Sequence, residues 1–433
     1  MIGRFALAAH GTTVRRELTA GVATFLTMAY IIVVNPAILE GAGIPREASI
    51  TATILSAAFG TLIMAVHANR PFAIAPYMGE NAFITFTVVK GMGIPWQTAL
   101  GAIFIAGVLF TLLTFVGVRS WLAEAIPRSL KHSFSVGIGL FLTFVGLNGI
   151  GLVTLGVPGS PVALGRLNVP TTQLALVGFL VTATLLARGR PGALLAGIAA
   201  TAVLSFATGI TPLPTGLISA PPSLAPILGQ LDIRGALTLQ ALPVVVIVFV
   251  MAFVDTIGTL LGLGARAGLL DAEGNLPDME RPMLADAVAN LFAPVVGTTT
   301  CGAYIESAVG IAEGGRTGLT ALVVAGLFLA ALVFSPILTA IPAHATGVAI
   351  VAIGMLMIAP VAQLDFTDHT EWFPAFLTMV LMSFTFNIGV GMTAGLLIHP
   401  VLKLLAGRVH EVRPAQWVLA GMALLFYVVY PYH

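Results

Sequence analysis

Charge is what this sequence has least of: Asp, Glu, Lys and Arg make up 9% of its 433 residues, whereas 58% are hydrophobic. The mean hydropathy is +1.02. One soluble core of this length could not bury so much apolar surface, so these values exclude an ordinary soluble domain and indicate a polytopic membrane protein. The net charge of +1 and the lack of a basic run give no reason to expect a nucleic-acid partner.

Cysteine and catalytic motifs are also scarce. The single cysteine, Cys301, excludes a disulfide framework and a multi-cysteine metal site, and we interpret it as a small apolar side chain. The sequence has no His-Glu-x-x-His motif, no Walker-type loop and no nucleophile elbow. We therefore expect no enzyme, no metal and no cofactor. Without a nucleotide-binding domain, any uphill transport must use an ion gradient.

Apolar segments fill most of the chain. A transmembrane helix needs about 20 mostly apolar residues, which leaves room for roughly 14 spans. We predict spans near residues 20–39, 49–66, 73–90, 97–118, 133–154, 172–187 and 192–210, and then near 241–264, 282–297, 298–313, 317–339, 346–362, 373–387 and 389–406. The fold class is thus an all-α polytopic membrane protein.

The domain organisation follows from this count. We predict a first seven-span repeat at residues 1–210, a proline-rich connector at 211–238, a second seven-span repeat at 239–410 and a C-terminal hydrophobic stretch at 411–433. The apolar part of the last stretch, residues 417–430, is too short to span comfortably. We expect it to lie at the interface or to pack on the bundle.

The distribution of Lys and Arg supports this topology, because these residues concentrate on the cytoplasmic side of a membrane. A cytoplasmic N-terminus places fifteen of them inside and four outside, as expected for a multi-pass protein of the inner (cell) membrane. The inside set is Arg4, Arg15, Arg16, Arg70, Arg119, Arg128, Lys131, Arg188, Arg190, Arg266, Arg281, Arg316, Lys403, Arg408 and Arg413, and the outside set is Arg46, Lys90, Arg166 and Arg234.

Two seven-span halves must have opposite orientations because seven is odd, which is the inverted-repeat arrangement of many secondary transporters. Short sequence similarities between the two halves agree with this arrangement: residues 28–30 (MAY) resemble 251–253 (MAF), and 80–82 (ENA) resemble 306–308 (ESA). Their offsets, 223 and 226 residues, fit one register. The third span is also interrupted, since residues 72–77 contain Pro76 and favour an extended backbone before a helix from Gly79 through Ile84.

Residues 295–317 form the second interrupted span. Residues 295–300 are β-branched apart from one glycine, which favours an extended backbone, and residues 305–312 favour helix. We predict a short strand followed by a half-helix, with Glu306 at the helix start, where free N–H groups can meet a ligand. Broken backbone at membrane depth is tolerated where it is buried or lines a cavity. Two interrupted spans at matching positions therefore predict a binding site.

Four acids lie inside the apolar segments, where ionisable side chains usually face the bundle interior or a wet cavity. Asp255 is either a ligand or a carboxylate bonded to neighbouring hydroxyls, and Thr259 shares its helix face. Glu306 is either a ligand or a helix cap. For Asp286, capping or ion pairing competes with ligand binding. Glu80 is a ligand, a proton site or the partner of a cation.

Four motifs in this order resemble one family. They are ELTAGVATFLTMAYIIVVNP (residues 17–36), APYMGENAF (75–83), FVDTIGT (253–259) and TTTCGAYIESAVGIAEGGRTG (298–318). They are similar to the AzgA-like branch of the nucleobase/cation symporters, the adenine, guanine and hypoxanthine permeases. The resemblance runs from about Arg15 to Arg408.

The resemblance implies fourteen spans as two inverted repeats, with a core domain (spans 1–4 and 8–11), a gate domain (spans 5–7 and 12–14), and half-helices with short strands in spans 3 and 10. It implies a purine substrate between these half-helices, a proton or another cation as coupling ion, a lipid bilayer, and it allows a homodimer. The expected substrate-binding residues are Asp255, Glu306, Asn81, Tyr304, Ile305, Glu80, Phe83 and, behind them, Thr259. The coupling proton is expected on Glu306, Asp255 or Glu80.

Two departures from the family pattern bear on the substrate. The usual Pro-Gly-Met-Gly-Leu-Asn-Ala of span 3 has Tyr77 and Glu80 at its second and fifth positions, and the first acid of the usual Asp-x-x-Asp-Thr of span 8 is Ala252. Glu80 could replace the missing charge. Rival hypotheses are a xanthine, uracil or other small-molecule carrier of the same fold, and a non-coupled channel or receptor. Sulfate and bicarbonate carriers share the fold, but several acids at the site disfavour an anion.

Overall fold

The computed structural model describes residues 5–116, 126–157, 160–271 and 276–429. Within these ranges nine helical segments are long and apolar enough to cross a membrane. The predicted all-α membrane fold is confirmed, and the helical and broken segments follow the predicted spans in order. Arg4, Arg119 and Tyr430, together with the end of the predicted fourth span, lie outside the described residues.

The first half contains α1 (Val14–Met28), α2 (Ile31–Glu40), α3 (Arg46–Ile63) with a π-helical end (Met64–Ala68), β1 (Ile74–Pro76), α4 (Met78–Ala82) with a π-helical continuation (Phe83–Gly91), α5 (Trp96–Val116), α6 (Arg128–Gly149), β2 (Val153–Val157), β3 (Ser160–Leu164), α7 (Pro170–Ala187) and α8 (Ala193–Ala207). Strands β2 and β3 form a hairpin between spans 5 and 6 that the sequence did not predict.

The second half contains α9 (Ile233–Ala236), α10 (Leu242–Ala267), α11 (Glu280–Val296), β4 (Cys301–Ala303), α12 (Ser307–Ala312), α13 (Gly318–Ala331), a 3₁₀ turn (Leu332–Phe334), α14 (Ser335–Ala340), α15 (Ala343–Met357), a 3₁₀ turn (Ala359–Gln363), α16 (His369–Phe384), α17 (Ile388–Leu405), a 3₁₀ turn (Val409–Glu411) and α18 (Pro414–Val429). Helix α18 packs on α17 and α10, and the Tyr427 hydroxyl donates to the Val390 carbonyl at 2.7 Å.

The extended part of span 10 lies later than predicted. Helix α11 continues through the β-branched pair at residues 295–296 and ends where Gly297 takes a φ of +92°. The strand is Cys301–Ala303, and the half-helix begins at Ser307. Intrinsic preference for an extended backbone is weak, and the helical hydrogen bonds and packing of α11 override it.

Strands β1 and β4 pair in an antiparallel register that relates the two halves. Ala75 lies opposite Gly302 at the centre of the pair. The flanking bonds repeat on both sides, because Tyr77 N donates to Thr300 O and Tyr304 N donates to Ala73 O, each at 2.9 Å. An antiparallel pair has local two-fold symmetry. Each strand leads into a half-helix. The two broken spans therefore meet at the strand pair and are related by its local two-fold symmetry, as expected for an inverted repeat.

The most extensive helix contacts fall into two groups. Helices α1, α3, α5, α10, α11 and α13 pack on one another, and α6, α7, α8, α15, α16 and α17 pack on one another. We call them the core group and the gate group, and the half-helices belong to the core group. Small residues allow close helix approach in membranes. Gly139 and Gly354, for example, bring the backbones of α6 and α15 together.

Candidate functional site

The candidate site is built around the paired strands. Proline at 76 lacks an N–H group and ends β1, and Tyr77 then has an extended backbone before α4. On the other side, β4 is followed by Glu306 at the N-terminus of α12. The sequence thus places an acid at the start of each half-helix: Glu80 in the first turn of α4 and Glu306 at the N-cap of α12. Helix N-termini favour negative charge and present free N–H groups.

Two tyrosines, one after each strand, contact the strand pair. The Tyr304 hydroxyl donates to the Pro76 carbonyl, and its ring lies parallel to that of Tyr77 with centroids 6.4 Å apart. The Tyr77 ring covers Gly302, where an added Cβ would lie 2.1 Å from the tyrosine oxygen. Gly302 is therefore required for this close approach. The Tyr304 side chain is buried.

Glu306 is hydrogen-bonded across the core group. The hydroxyl of Tyr30, at the break between α1 and α2, donates to Glu306 Oε1. The alternative of a side-chain helix cap is not what the structure has, because the Glu306 side chain makes no capping bond to α12. The neighbouring Ile305 is 56% exposed. Glu306 therefore has an oriented carboxylate at an accessible position.

A cavity of about 440 Å³ opens beside Glu306, between the core and gate groups. Small-molecule sites typically occupy about 300–1,000 Å³, so its size suits a small ligand. Its charged lining residues are Glu306, Arg190, Arg266 and Glu313. The core group also contributes Thr27, Ala308, Val309 and Ala312, and the gate group contributes Leu186, Gly189, Pro191, Gly192, Ala193, Leu194 and Leu356.

Asn81 belongs to a buried amide and hydroxyl network. Its side chain donates to Asn35 Oδ1 and accepts from Thr299 Oγ1. Asn35 in turn donates to Thr53 Oγ1 at 2.7 Å and to Thr298 Oγ1 at 3.0 Å. Buried polar groups of this kind are costly unless they are satisfied. Both polar atoms of the Asn81 side chain are thus hydrogen-bonded, and the whole network joins four spans.

The two acids of α10 and α11 differ in their partners. Asp286 Oδ2 accepts from Thr256 Oγ1 at 3.0 Å and from Ala303 N at 3.2 Å, so it fixes β4 to α10. Asp255 is partly exposed and makes no hydrogen bond to another described residue. Thr259, one helical turn later, is also partly exposed. Asp255 therefore has free acceptor capacity, whereas Asp286 has a structural role.

Glu80 has no exposed surface, and neither of its oxygens bonds to another described residue. Phe83 is also fully buried, with its ring against Gly389 of α17. The structure therefore brings Glu80, Tyr304 and Glu306 together around the strand pair. Of the predicted site residues, only Glu306 lines the cavity within the described part of the chain.

Sequence reasoning did not identify Tyr30 or Asn35 as parts of the site. Both are polar residues within the first apolar segment, at residues 28–36, and the MAY similarity at residues 28–30 was a signal for Tyr30. Their partners are far along the chain, since Tyr30 and Glu306 are 276 residues apart.

In the described ranges, no group of three or more His, Cys, Asp or Glu side chains could hold a metal ion.

Broken spans that cross at a paired strand, acids at half-helix termini and a cavity between two helix groups are typical of transporters built from inverted repeats. The fold agrees with that of the transmembrane domain of the cyanobacterial bicarbonate transporter BicA. The TM-score is 0.66 at 17% identity, over 88% of this chain and 96% of that one. The prediction of fourteen spans as two inverted repeats is confirmed.

The chain belongs to the permease family, whose model (Xan_ur_permease) matches residues 15–394. It is 40% identical over 431 residues to the guanine/hypoxanthine permease PbuO of Bacillus subtilis, covering 98% of this chain and 99% of that one. It is 39% identical over 421 residues to the adenine permease AdeP of Escherichia coli, covering 97% and 94%. The predicted family is therefore confirmed, and the protein is a multi-pass membrane transporter, not an enzyme.

Proposed function

We propose that this protein imports a purine nucleobase by proton symport across the cell membrane. The observation that carries the proposal is the Glu306 carboxylate, oriented by Tyr30 and facing a cavity between the core and gate groups. A purine edge carries N–H donors, so the Glu306 carboxylate can accept hydrogen bonds from it. The names of the relatives support a purine, although they divide between adenine and guanine/hypoxanthine.

Asp255 is the second residue that we assign to the base. It is partly exposed, has no hydrogen bond to another described residue, and lies on α10, which packs against α12. We assign Ile305 and the backbone beside Tyr304 to the base edge, with Thr259 behind them. Asn81 and Phe83 then support the site from within the core group, because their side chains are buried in other contacts.

The cavity supports an alternating-access mechanism. Residues of both groups line it, so movement of one group against the other would open or close it. Arg190 and Arg266 lie at the cavity, and both belong to the set that the Lys and Arg distribution places in the cytoplasm, with the N-terminus. We assign this conformation to the inward-facing state. A homodimer is part of the proposal only through the family resemblance.

Uptake into proteoliposomes tests the proposed function. Radiolabelled adenine, guanine, hypoxanthine, xanthine and uracil are offered with and without an inward proton gradient. Accumulation of one purine, driven by the gradient and abolished by Asp255→Ala, supports the proposal and identifies the substrate. Equilibration without accumulation would indicate a non-coupled channel, and absence of any nucleobase uptake would reject the substrate class. Glu47→Gln, at an exposed acid in the first turn of α3, is the control variant.

A further inference from the structure

Glu80 is a buried carboxylate without a counter-charge. It has no exposed surface, neither oxygen bonds to another residue, and no ion pair includes it within the described ranges. Lys90, on the π-helical continuation of α4, instead lies over the Phe86 ring at 5.2 Å. An ionised carboxylate in this position would be unpaired at membrane depth, which is strongly unfavourable. The side chain must therefore be neutralised by a bound proton or a bound cation.

The titratable groups that interact electrostatically with Glu80 are all acidic or neutral. Asp255 on α10 interacts with it electrostatically, and so do Tyr77 next to α4, and Cys301 and Tyr304 of span 10. Two carboxylates that share a site cannot both ionise easily. None of these groups is basic, and no ion pair within the described ranges includes Glu80, so its neutral form is favoured.

We propose that Glu80 is the coupling-proton site of this transporter, and that its ligand is the proton and not the purine. The inference rests on the proposed function. Glu306 lines the cavity and Asp255 is partly exposed, whereas Glu80 is fully enclosed. A metal cation would need several oxygen ligands, and no group of three acidic, histidine or cysteine side chains in the described ranges supplies them.

The position of α4 explains how a proton on Glu80 controls transport. This half-helix contacts α2, α10 of the core group and α6 of the gate group. Gly79, next to Glu80, lies directly against Ile138 of α6. Movement of the core group against the gate group therefore changes the enclosure of this turn. A neutral Glu80 tolerates the enclosed arrangement, and release of its proton requires an arrangement that admits water.

The proton on Glu80 can be detected without transport. Infrared spectra of the purified protein should contain the C=O stretching band of a buried protonated carboxyl group, and the band should be weaker in Glu80→Gln; Asp286, a second fully buried acid, can contribute the remainder. Glu47→Gln is the matched control and should keep the band. The assignment would be overturned if the band had equal intensity in wild type and Glu80→Gln. This outcome does not depend on whether the protein transports a purine.

Transport tests the coupling. One proton per purine allows about tenfold accumulation for each unit of pH gradient, so Glu80→Gln should lower the accumulation ratio from about ten to about one. Purine binding, measured by calorimetry, should persist, because Gln mimics the neutral acid. Glu80→Asp keeps a titratable group and should retain coupling. If Glu80→Gln fails to fold, the infrared band and accumulation of Glu80→Asp, compared with Glu80→Leu, provide the same test.

Three results would contradict the proposal. Accumulation by Glu80→Gln with wild-type pH dependence would remove Glu80 from coupling. Loss of purine binding in folded Glu80→Gln would make it a substrate ligand. Accumulation driven by a sodium gradient at equal pH, and lost in Glu80→Gln, would replace the proton with a metal cation. If the wild-type protein binds no nucleobase, the proposed function fails instead, and the infrared measurement still decides the proton site.

Discussion

Glu80 and Glu306 occupy corresponding places in the two repeats, yet their surroundings differ. Glu306 accepts a hydrogen bond from Tyr30 and faces the cavity, whereas Glu80 is fully buried and bonds to no other described residue. The strand pair leads into both half-helices, with Glu80 in the first turn of α4 and Glu306 at the N-cap of α12. An inverted repeat therefore duplicates the position of a functional group, and the side chains around each copy determine what that group does.

The two settings suggest separate tasks for two acids that sequence reasoning could not distinguish. An oriented and accessible carboxylate suits a ligand with N–H donors. An enclosed carboxylate without a partner suits a proton. If one acid binds the substrate and the other binds the coupling ion, a single movement of the core group against the gate group affects both sites. The predictions below test this comparison, starting with the largest expected effect.

The largest effect is expected at Glu306. Glu306→Gln removes the charge but keeps the size, and hydrogen bonds to charged groups contribute about 1.5–3 kcal/mol. We expect purine affinity, measured by calorimetry, to fall by about 10- to 100-fold. Glu47→Gln should bind like the wild type. Equal loss of affinity in Glu80→Gln and Glu306→Gln would show that the two acids do not have separate tasks.

Gly302 tests the strand pair that makes the two positions equivalent. Gly302→Ala places a methyl group against the Tyr77 ring, and overpacking of this kind costs about 1–3 kcal/mol. We expect a lower thermal unfolding temperature in detergent. Gly326→Ala, at a helical glycine with open space around it, should have little effect. Adding Tyr77→Ala to Gly302→Ala should recover stability, and simple additivity of the two changes would argue against this contact.

Tyr30 tests the feature that distinguishes Glu306 from Glu80. Tyr30→Phe removes the hydroxyl that orients the Glu306 carboxylate, and a typical hydrogen bond contributes about 0.5–1.5 kcal/mol. We expect a several-fold rise in the KM for purine uptake, less than for Glu306→Gln. Combining both substitutions should add little to Glu306→Gln alone, because they remove the same interaction. An independent, additive effect would place Tyr30 elsewhere in the mechanism.

The smallest effect is expected at an acid that has cationic partners outside the membrane. Arg408 and Lys403 contact Glu411 at 2.6 and 2.7 Å and lower its pKa from 4.5 to about 2. A lowered folded-state pKa means that this stabilisation is present above pH 4.5 and is lost as the pH falls towards 2. The melting temperatures of wild type and Glu411→Gln should therefore converge over that range. A constant difference would show that Glu411 acts through packing.

Hydropathy and local chemistry predicted much of the fold. The apolar runs gave the order of the spans, and Pro76 and the glycines marked where spans 3 and 10 break. The prediction of a strand in span 10 is confirmed, but it placed the strand too early, because the β-branched residues 295–296 continue α11. It also missed the β2–β3 hairpin. Both errors concern short elements, where tertiary packing outweighs local preference.

The candidate site was predictable as a set of residues but not as an arrangement. Acids within apolar segments are visible in any sequence, and their high cost at membrane depth makes them candidates for function. The sequence could not show that Asn81 is committed to Asn35 and Thr299, or that Asp286 holds Ala303. Those contacts depend on which helix faces meet across the two repeats.

The sequence by itself therefore determined that this protein is a membrane transporter with two interrupted spans and acids near them, because hydrophobic length and backbone breaks are local properties. Only the tertiary structure decided which acid is paired and which is enclosed. Tyr30 reaches Glu306 across 276 residues of chain, and Glu80 is left without a partner, because helix packing brings distant side chains together independently of their spacing.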